Sequence, residues 1–317
     1  MVAWQRILQR ALDALPPDAA DLRFRLLLQL GQLQRSDRVY ETAVTTLHQA
    51  LALAQQSGDV GYLAESHLNL GQTYQQMGQQ TLAQQHGEEA LARQATISPR
   101  LQLLIRQLLG MIALSRGDFA QSRDHFSQIT AAPHADRLLR ANAYNHIGNT
   151  YYDPATYAEA LDAYHKALAI LEGIPFHKDK LSILLNIGGI YYGQEKLTEA
   201  EAAFRQAEQL LLPQSGFAFF KGLLHNNLGN VLTDRGQFLL AETHFQQSIA
   251  WYEQVEEDLY LSNAKSNLGR LYKRMGRPAA AIAAYQEALA LARRYPEHPW
   301  ARAWEQSYQE ELAALQS

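Results

Sequence analysis

The sequence contains no cysteine. This absence excludes disulfide frameworks, thiolate metal sites and cysteine nucleophiles, and it suits a reducing compartment. An excess of one charge is also missing, because 28 Lys and Arg stand against 32 Asp and Glu, a formal net charge of −4. Without a broad basic field, we expect no binding to nucleic acid or to an anionic membrane surface.

Long hydrophobic runs are absent as well. No apolar stretch approaches the ~20 residues that span a bilayer, so we expect no membrane insertion. Residues 1–15 carry Arg6, Arg10 and Asp13 among apolar residues, which predicts an amphipathic helix and not a signal peptide. These features favour a soluble, cytoplasmic protein, and the Gln- and Ala-rich composition favours a bacterial source.

What the sequence does contain is an internal repeat. Leu or Ile followed by Gly recurs along the chain, with the glycines at Gly31, Gly71, Gly110, Gly148, Gly188, Gly229 and Gly269. Successive glycines lie 40, 39, 38, 40, 41 and 40 residues apart. Such regular spacing over seven units is typical of a repeat protein in which each unit packs on its neighbours.

We call the glycine of each Leu-Gly or Ile-Gly pair the signature glycine. Other residue types recur at fixed distances after it, and we call each set of equivalent positions a column. Three residues after it come Tyr74, Tyr151, Tyr191 and Tyr272. Twelve residues after it come Ala43, Ala83, Ala160, Ala200, Ala241 and Ala281. Sixteen residues after it come Phe126, Tyr164, Phe204, Phe245 and Tyr285. The first two repeats depart from this last column, with Leu47 and Gly87 in place of the aromatic residue.

These columns predict a helix pair in every unit. The first helix carries the Gly and Tyr, and the second carries the Ala and aromatic residues, whose spacing marks one helical face. Small residues let the two helices approach closely, and the aromatic ring fills the space beside them. A turn between the helices is indicated seven residues after the signature glycine by Gly78, Gly117, Gly236 and Gly276.

The pattern resembles the tetratricopeptide repeat in a long form of about 40 residues, whereas the usual unit has ~34. With its Asn-Leu-Gly-x-x-Tyr signature at residues 69–74, it is similar to kinesin light chain, to Leu-Gly-Asn-repeat adaptors and to bacterial repeat sensors. The resemblance implies an all-α fold, a right-handed α-solenoid of seven helix pairs with N- and C-terminal capping helices. We expect an N-terminal helix within residues 1–22, repeats over 23–297, and a capping helix within 298–317 that uses Trp300 and Trp304 to cover repeat seven.

The asparagines give the sharpest functional signal. All of them lie in the first helix of a repeat, at Asn69, Asn142, Asn145, Asn149, Asn186, Asn226, Asn227, Asn230, Asn263 and Asn267. Asn is a mediocre helix former, so an unselected polar face would favour Gln, Glu or Lys. At about 100° per residue these positions point away from the packing face, towards the concave side of a stack of helix pairs.

A row of carboxamides can donate to and accept from the backbone of an extended peptide, largely whatever its side chains. In the related adaptors, Asn just before Leu-Gly is among the residues that hold a peptide, and the resemblance carries that role to Asn69, Asn186, Asn227 and Asn267. His146 takes the same place in repeat four. The alternative is that neighbouring asparagines hydrogen-bond each other or adjacent backbone and only stiffen the superhelix. The two interpretations are compatible.

Cations gather at one end of the predicted groove. Arg270, Lys273 and Arg274 follow the last signature glycine, where earlier repeats carry uncharged or acidic residues. They predict a preference for an acidic residue or a free carboxylate at that end of the ligand. The alternative is that they only oppose the C-terminal dipole of their own helix.

Catalytic and metal-binding signals are absent. No phosphate-binding glycine loop or nucleophile elbow is present, and no two histidines share a helical face at metal-ligand spacing. His86, His125 and His244 each lie fifteen residues after a signature glycine in separate repeats. We therefore expect no enzyme, no cofactor and no metal.

The sequence predicts an interaction scaffold or adaptor that binds a peptide segment of a partner protein in an Asn-lined concave groove. The alternative function is a regulatory sensor domain in which the same repeats bind a peptide or small molecule and change pitch, since small rotations between neighbouring repeats add up. Self-association through an end face of the array also stays open.

Overall fold

The computed structural model describes residues 2–16, 18–151, 153–174, 176, 178–214 and 216–316. Across this part of the chain there are sixteen α-helices and two short 3₁₀ helices, and no β-strand. The predicted all-α fold is confirmed. The chain divides into two compact units, Met1–Gly173 and Ile174–Ser317, which are described in turn.

Nine α-helices lie in the described residues of the first unit. They are α1 (Val2–Asp13), α2 (Ala20–Ser36), α3 (Tyr40–Ser57), α4 (Val60–Gln76), α5 (Gln80–Leu91), α6 (Pro99–Ser115), α7 (Phe119–Ala131), α8 (Arg137–Asn149) and α9 (Tyr157–Ile170). Acceptor side chains begin several of these helices: the Asp59 carboxylate accepts from the Tyr62 amide at 2.9 Å, and that of Asp136 from the Leu139 amide at 2.8 Å. Such caps satisfy amides that have no partner within the helix.

Over the part of the second unit that the structure describes there are seven α-helices. They are α10 (Lys178–Gly193), α11 (Leu197–Leu211), α12 (Ala218–Asp234), α13 (Phe238–Gln254), α14 (Asp258–Arg274), α15 (Pro278–Ala292) and α16 (Pro299–Gln316). In each unit, every helix that bears a signature glycine packs against the helix that follows it. The core therefore lies between the paired helices, as the repeat pattern predicts.

The signature glycine is required by close contact between the paired helices. A Cβ at Gly229 would lie 2.6 Å from the ring of Phe245, which is fully buried. In repeat one Leu47 replaces the aromatic residue, and its side chain would be 2.6 Å from a Cβ at Gly31. Where Gly87 replaces the ring in repeat two, Leu109 of the next repeat fills the space. In repeats one and two, leucine side chains therefore fill the space that an aromatic ring fills in the later repeats.

The turn between paired helices uses left-handed backbone. Gly78 and Gly236 have φ of +75° and +74°, as the turn position predicts. At the same position in repeats one and five, Arg38 and Glu195 adopt φ of 61° and 59° although they carry a Cβ. Repeat four differs, because a short 3₁₀ helix (Pro154–Thr156) occupies its turn.

The terminal helices pack on their neighbours. Leu12 of α1 is buried in a cluster with Phe24 of α2. From α16, Ala301, Tyr308 and Leu312 are buried against α15. Trp304 is partly buried there, whereas Trp300 is 54% exposed. The predicted boundaries between the terminal helices and the repeats, after residues 22 and 297, stay a prediction. The residues of this division that lie outside the described part of the chain are Met1, Pro17, Tyr152, Pro175, His177, Ser215 and Ser317.

Candidate functional site

Half of the asparagines line one pocket of about 340 Å³ in the second unit. It is lined by residues of α10, α12, α14 and α16, and we term it the amide pocket. Helix α12 contributes Asn226, Asn227 and Asn230, and helix α14 contributes Asn263, Asn267 and Arg270. The remaining lining residues are Tyr192, Leu223, Tyr260, Trp300 and Trp304. Asn226 and Asn227 each lie three or four residues before Asn230 on α12, and Asn263 lies four before Asn267 on α14, so neighbouring turns of each helix bring these amides to the pocket.

Hydrogen bonds join the amides of α12 and α14. The Asn267 Nδ2 donates to the Oδ1 atoms of Asn226 at 3.1 Å and Asn263 at 3.2 Å. The Asn226 Nδ2 donates to Asn263 Oδ1 at 3.4 Å. Asn227, in contrast, makes no side-chain hydrogen bond to any residue that the structure describes. The pocket therefore combines amides that bond each other with one amide, that of Asn227, whose side chain has no hydrogen-bond partner among the described residues.

The three predicted cations differ in their surroundings. Lys273 forms an ion pair with Glu311 at 2.7 Å, and Arg274 forms one with Asp234 at 2.5 Å. Arg270 has no ion pair with any described residue. Its Nη2 donates to Asn230 Oδ1 at 2.8 Å, and its Nε is buried without a hydrogen-bond partner. Of the three, only Arg270 lines the amide pocket, and its charge is not neutralised there by a carboxylate.

Aromatic side chains form the walls of the amide pocket. Tyr192 comes from α10, Tyr260 from the first turn of α14, and Trp300 and Trp304 from α16. Sequence reasoning assigned none of them to the ligand site. For Tyr192 a signal existed, since it lies four residues after Gly188 on the predicted groove side of its helix. The tryptophans belong to no repeat column, so no spacing indicates where they lie.

Tyr192 links the pocket to an ion pair. Its hydroxyl donates to Asp234 Oδ2 at 2.6 Å, and Asp234 also binds Arg274. Burial raises the pKa of Tyr192, and the hydrogen bond to Asp234 adds to the effect. The phenol therefore stays neutral near pH 7 and keeps its role as a donor.

In the first unit the predicted asparagines make contacts within the protein. Asn69 is buried and its Oδ1 accepts from Gln32 Nε2 at 3.0 Å, while Asn142 Oδ1 accepts from Gln107 Nε2 at 2.8 Å. Asn149 Oδ1 accepts from the Tyr164 hydroxyl at 2.7 Å. The first two bonds join first helices of adjacent repeats, as the stiffening alternative expects.

The remaining predicted site residues are not brought to the amide pocket. Asn145 is 5% exposed, with its Oδ1 buried, and the His146 ring stacks on Phe126 with centroids 4.8 Å apart. Asn186 of α10 is half-buried in the second unit and is not among the residues that line the pocket. The described residues thus divide the predicted amides into a pocket group and a group engaged elsewhere.

Two histidine pairs were missed by sequence reasoning. The Nδ1 atoms of His67 and His86 lie 2.9 Å apart in the first unit, and those of His225 and His244 lie 2.9 Å apart in the second. Both pairs join the two helices of one repeat at equivalent positions. Burial, followed by the charge of the partner histidine, lowers the pKa of His86 and of His225 to about 4.

Two further observations concern membranes and metals. None of the helices in the described residues is both long enough and apolar enough to cross a bilayer. Within the same residues, no three His, Asp or Glu side chains cluster as ligands of a metal ion would.

Paired helices that repeat every 38 to 41 residues and pack through a signature glycine define a helical repeat protein. The sequence model of the tetratricopeptide repeat matches residues 22–96, 139–212 and 222–294, which is more than half of the chain. The chain belongs to the tetratricopeptide repeat family.

Individual relatives agree with this assignment at the level of the fold. Over 203 residues the chain is 26% identical to the Tonsoku-like protein of Bos taurus, a match covering 58% of this chain but only 15% of that relative. The apo form of RapI has a TM-score of 0.68 at 14% identity and covers 87% of this chain and 99% of its own. The apo form of the quorum sensor NprR from B. thuringiensis has a TM-score of 0.66 at 12% identity and covers 89% of this chain and 79% of its own.

Proposed function

We propose that this protein is an interaction module that binds a peptide segment of a partner protein in the amide pocket. The carrying observation is the convergence of five asparagines, one arginine and four aromatic side chains on a single opening in the second unit. Amides pair with the N–H and C=O groups of an extended backbone, and aromatic walls provide apolar contact at low conformational cost. Together they suit a peptide whose backbone forms hydrogen bonds with the amides and whose apolar side chain packs against the aromatic walls.

Arg270 supplies the charge preference in this proposal. Its guanidinium is partly desolvated and has no ion pair among the described residues. A carboxylate of the ligand would compensate that charge, and charge-assisted hydrogen bonds are about twice as strong as neutral ones. Lys273 and Arg274 already contact Glu311 and Asp234, so they contribute less. The predicted cationic end is thereby reduced to one residue.

The test selects ligands without knowledge of the partner. A random dodecapeptide display library is panned on the wild-type chain, and the affinity of selected synthetic peptides is measured by fluorescence anisotropy. Asn227→Ala is the most informative variant, because the Asn227 side chain makes no hydrogen bond to a described residue and its loss leaves α12 and α14 joined. Arg270→Ala tests the charge preference. Asn142→Ala in the first unit is the matched control.

We expect Asn227→Ala and Arg270→Ala each to weaken the selected peptides about tenfold or more, and Asn142→Ala to leave them unchanged. The selected sequences are expected to share an acidic residue or a free C-terminal carboxylate together with an aromatic or branched apolar residue. Peptides that bind all three variants with wild-type affinity would place the ligand elsewhere and reject the proposal.

A second candidate function is a sensor that responds to a small peptide or molecule. The likeness to the quorum sensor NprR over most of this chain favours it, and the pocket is small enough to enclose a short ligand. The discriminating measurement is hydrogen exchange in α10–α16 with and without a selected peptide. Protection that extends well beyond the pocket helices supports a sensor, whereas protection confined to α12, α14 and α16 supports an adaptor.

A further inference from the structure

A second pocket of the second unit lies between α11, α12 and α13, and the residues that line it do not line the amide pocket. Its volume is about 480 Å³. The polar residues that line it are Arg205, Glu208, Lys221, His225, Thr243, His244 and Gln247. We term it the histidine pocket. Amides line the first pocket, whereas cations and imidazoles line this one.

The histidine pocket has an apolar floor and an aromatic wall. Leu211 and Leu224 are 2% and 1% exposed, and Trp251 closes one side. Leu212 stands at the rim with 77% of its surface exposed. Pockets of ~300–1,000 Å³ with mostly apolar walls and a few converging polar groups are typical of small-molecule sites. The dimensions therefore suit a small ligand with an apolar body.

Lys221 gives this pocket an uncompensated positive charge. Arg205 forms an ion pair with Glu208 at 2.9 Å, so these two charges largely cancel. Lys221 has no ion pair with a described residue. Its Nζ donates to the Gln214 carbonyl at 2.9 Å and lies 4.8 Å from the centroid of the Trp251 ring. A cation held over an aromatic face at a pocket wall is placed to receive an anionic group.

The His225–His244 pair adds groups that can donate to an anion. The Nδ1–Nδ1 distance of 2.9 Å requires that one ring donates and the other accepts. In a neutral pair the accepting ring therefore carries its proton on Nε2, where it can donate elsewhere. A further proton can enter at the free Nε2 of the donating ring without breaking the Nδ1 bond. The pair can therefore gain a positive charge and remain intact.

The equivalent groove of repeat four, in the first unit, has a different lining. Tyr144 and Ala163 stand there at the positions of His225 and His244, four residues before and fifteen after their signature glycines. Its charged residues are Glu159, Asp162 and Lys166, with Lys166 bound to Asp162 at 2.6 Å. A groove at this position thus recurs with the repeat, but the residues that line it in repeat four include no imidazole pair, and their one lysine is paired with a carboxylate.

We propose that the histidine pocket binds a small anion, a carboxylate or a phosphate ester carried on an aromatic body. Lys221 and the His225–His244 pair hold the anionic group, and Trp251, Leu211 and Leu212 contact the apolar part. This site is separate from the amide pocket, so its test does not depend on peptide binding.

Binding at this site is coupled to proton uptake. Burial and the charges of His244, Arg205 and Lys221 lower the pKa of His225, and Glu208 opposes them. The pKa of His244 is likewise lowered, first by burial and then by Arg205, against Glu208 and Glu201. An anion in the pocket offsets the repulsion by Arg205 and Lys221 and raises the pKa of the pair. By linkage, the anion binds more tightly as the pH falls from 7.5 towards 5.5.

The test is isothermal titration calorimetry on the full chain with two probes, phenylacetate and phenyl phosphate. Titrations at pH 7.5 and 5.5, each in two buffers of different ionisation enthalpy, measure affinity and proton uptake together. Lys221→Met removes the cation but keeps much of the apolar stem. His244→Asn keeps a hydrogen-bonding group near Nδ1 but removes Nε2. His86→Asn is the matched control, because it changes the equivalent pair of the first unit.

We expect at least one probe to bind more tightly at pH 5.5, with proton uptake, and the preferred probe identifies the head group. Lys221→Met weakens binding about tenfold, His244→Asn removes the proton uptake, and His86→Asn and Asn227→Ala change neither. Absence of binding by both probes at about 5 mM overturns the proposal. Equal binding by wild type and Lys221→Met overturns it as well, whatever the outcome at the amide pocket.

Discussion

The same residue type at equivalent repeat positions has different surroundings in the two units. In the first, Asn69 and Asn142 accept hydrogen bonds from Gln32 and Gln107 on the neighbouring first helix. In the second, asparagines of α12 and α14 surround an opening that also receives aromatic side chains and Arg270. The asparagines of this column lie on first helices of the repeats, and their neighbours decide whether they join helices or line a pocket.

The histidine pairs extend this comparison to another face of the repeats. His86 stacks on Tyr74 with centroids 5.4 Å apart, and His48 lies 6.2 Å away, so aromatic rings surround the pair of the first unit. The pair of the second unit opens onto a pocket with Lys221 and Trp251. In both comparisons, side chains that are covered by other residues in the first unit line a pocket in the second.

The largest expected effect comes from weakening the second unit through its core. Gly188→Ala places a Cβ against the buried ring of Phe204 and is expected to destabilise the protein by about 2–3 kcal/mol. The adjacent Gly189→Ala is the control, because a Cβ there meets nothing within 4 Å. It is expected to stabilise the helix by up to about 1 kcal/mol. Urea unfolding followed by circular dichroism measures both, and equal effects of the two variants would contradict the packing.

The next effect separates an arginine that faces a ligand from one that joins helices. Arg270→Ala is expected to weaken selected peptides by about 1.4 kcal/mol, a factor of ten. Arg35→Ala removes a 3.2 Å hydrogen bond to the Asn69 carbonyl in the first unit and is expected to lower stability alone. Anisotropy titrations and thermal melts of both variants check the distinction. If peptide affinity falls equally in the two variants, the arginines of the two units do not differ in their role in peptide binding.

Acid is expected to weaken both units through the histidine pairs. The pKa values of His86 and His225, about 4, lie below the ordinary histidine value near 6.5. The unfolded chain therefore binds more protons, so the stability contribution is complete above pH 6.5 and is lost as pH falls from 6.5 towards 4. The melting temperature should fall by several degrees over this range.

His86→Asn and His225→Asn, which keep a hydrogen-bonding group near Nδ1, should each flatten that pH dependence. A comparison of the two variants sharpens the contrast between the pairs. Phenylacetate should raise the melting temperature of His86→Asn at pH 5.5 more than that of His225→Asn. A melting temperature that is unchanged between pH 6.5 and 4 would show that the pairs are not protonated on unfolding.

The smallest effect concerns a single amide link in the first unit. Asn142→Ala removes the acceptor of the 2.8 Å bond from Gln107 and should cost about 0.5–1 kcal/mol. Peptide affinity should not change. If the variant lowers peptide affinity instead, the first unit also contacts the ligand and the contrast with the second unit does not hold.

The repeat columns predicted the fold because each column has a local cause. The signature glycine is fixed by the ring that packs on it, as at Gly229 and Phe245, and sequence spacing records that contact. The asparagine column likewise predicted which helix face carries Asn226 and Asn263. Such positions are predictable because the same contact recurs every 38 to 41 residues.

The rest of the site depends on contacts that occur once. Glu311 reaches Lys273 from a position 38 residues away in α16, which has no repeat signature. Trp300 and Trp304 enter the amide pocket from the same helix. The histidine pairs are an intermediate case, since a separation of 19 residues occurs in both. A search for histidines one helical turn apart does not find these pairs. A search for histidines 19 residues apart in equivalent repeats would have found them.

Helix α16 forms one wall of the amide pocket, and α14, two helices before it in the chain, forms another. This arrangement limits how the array can grow by gene duplication. A repeat inserted between α15 and α16 would separate Trp300 and Trp304 from Asn263 and Asn267 and dismantle the site. Lengthening the array at that junction would therefore remove the amide pocket.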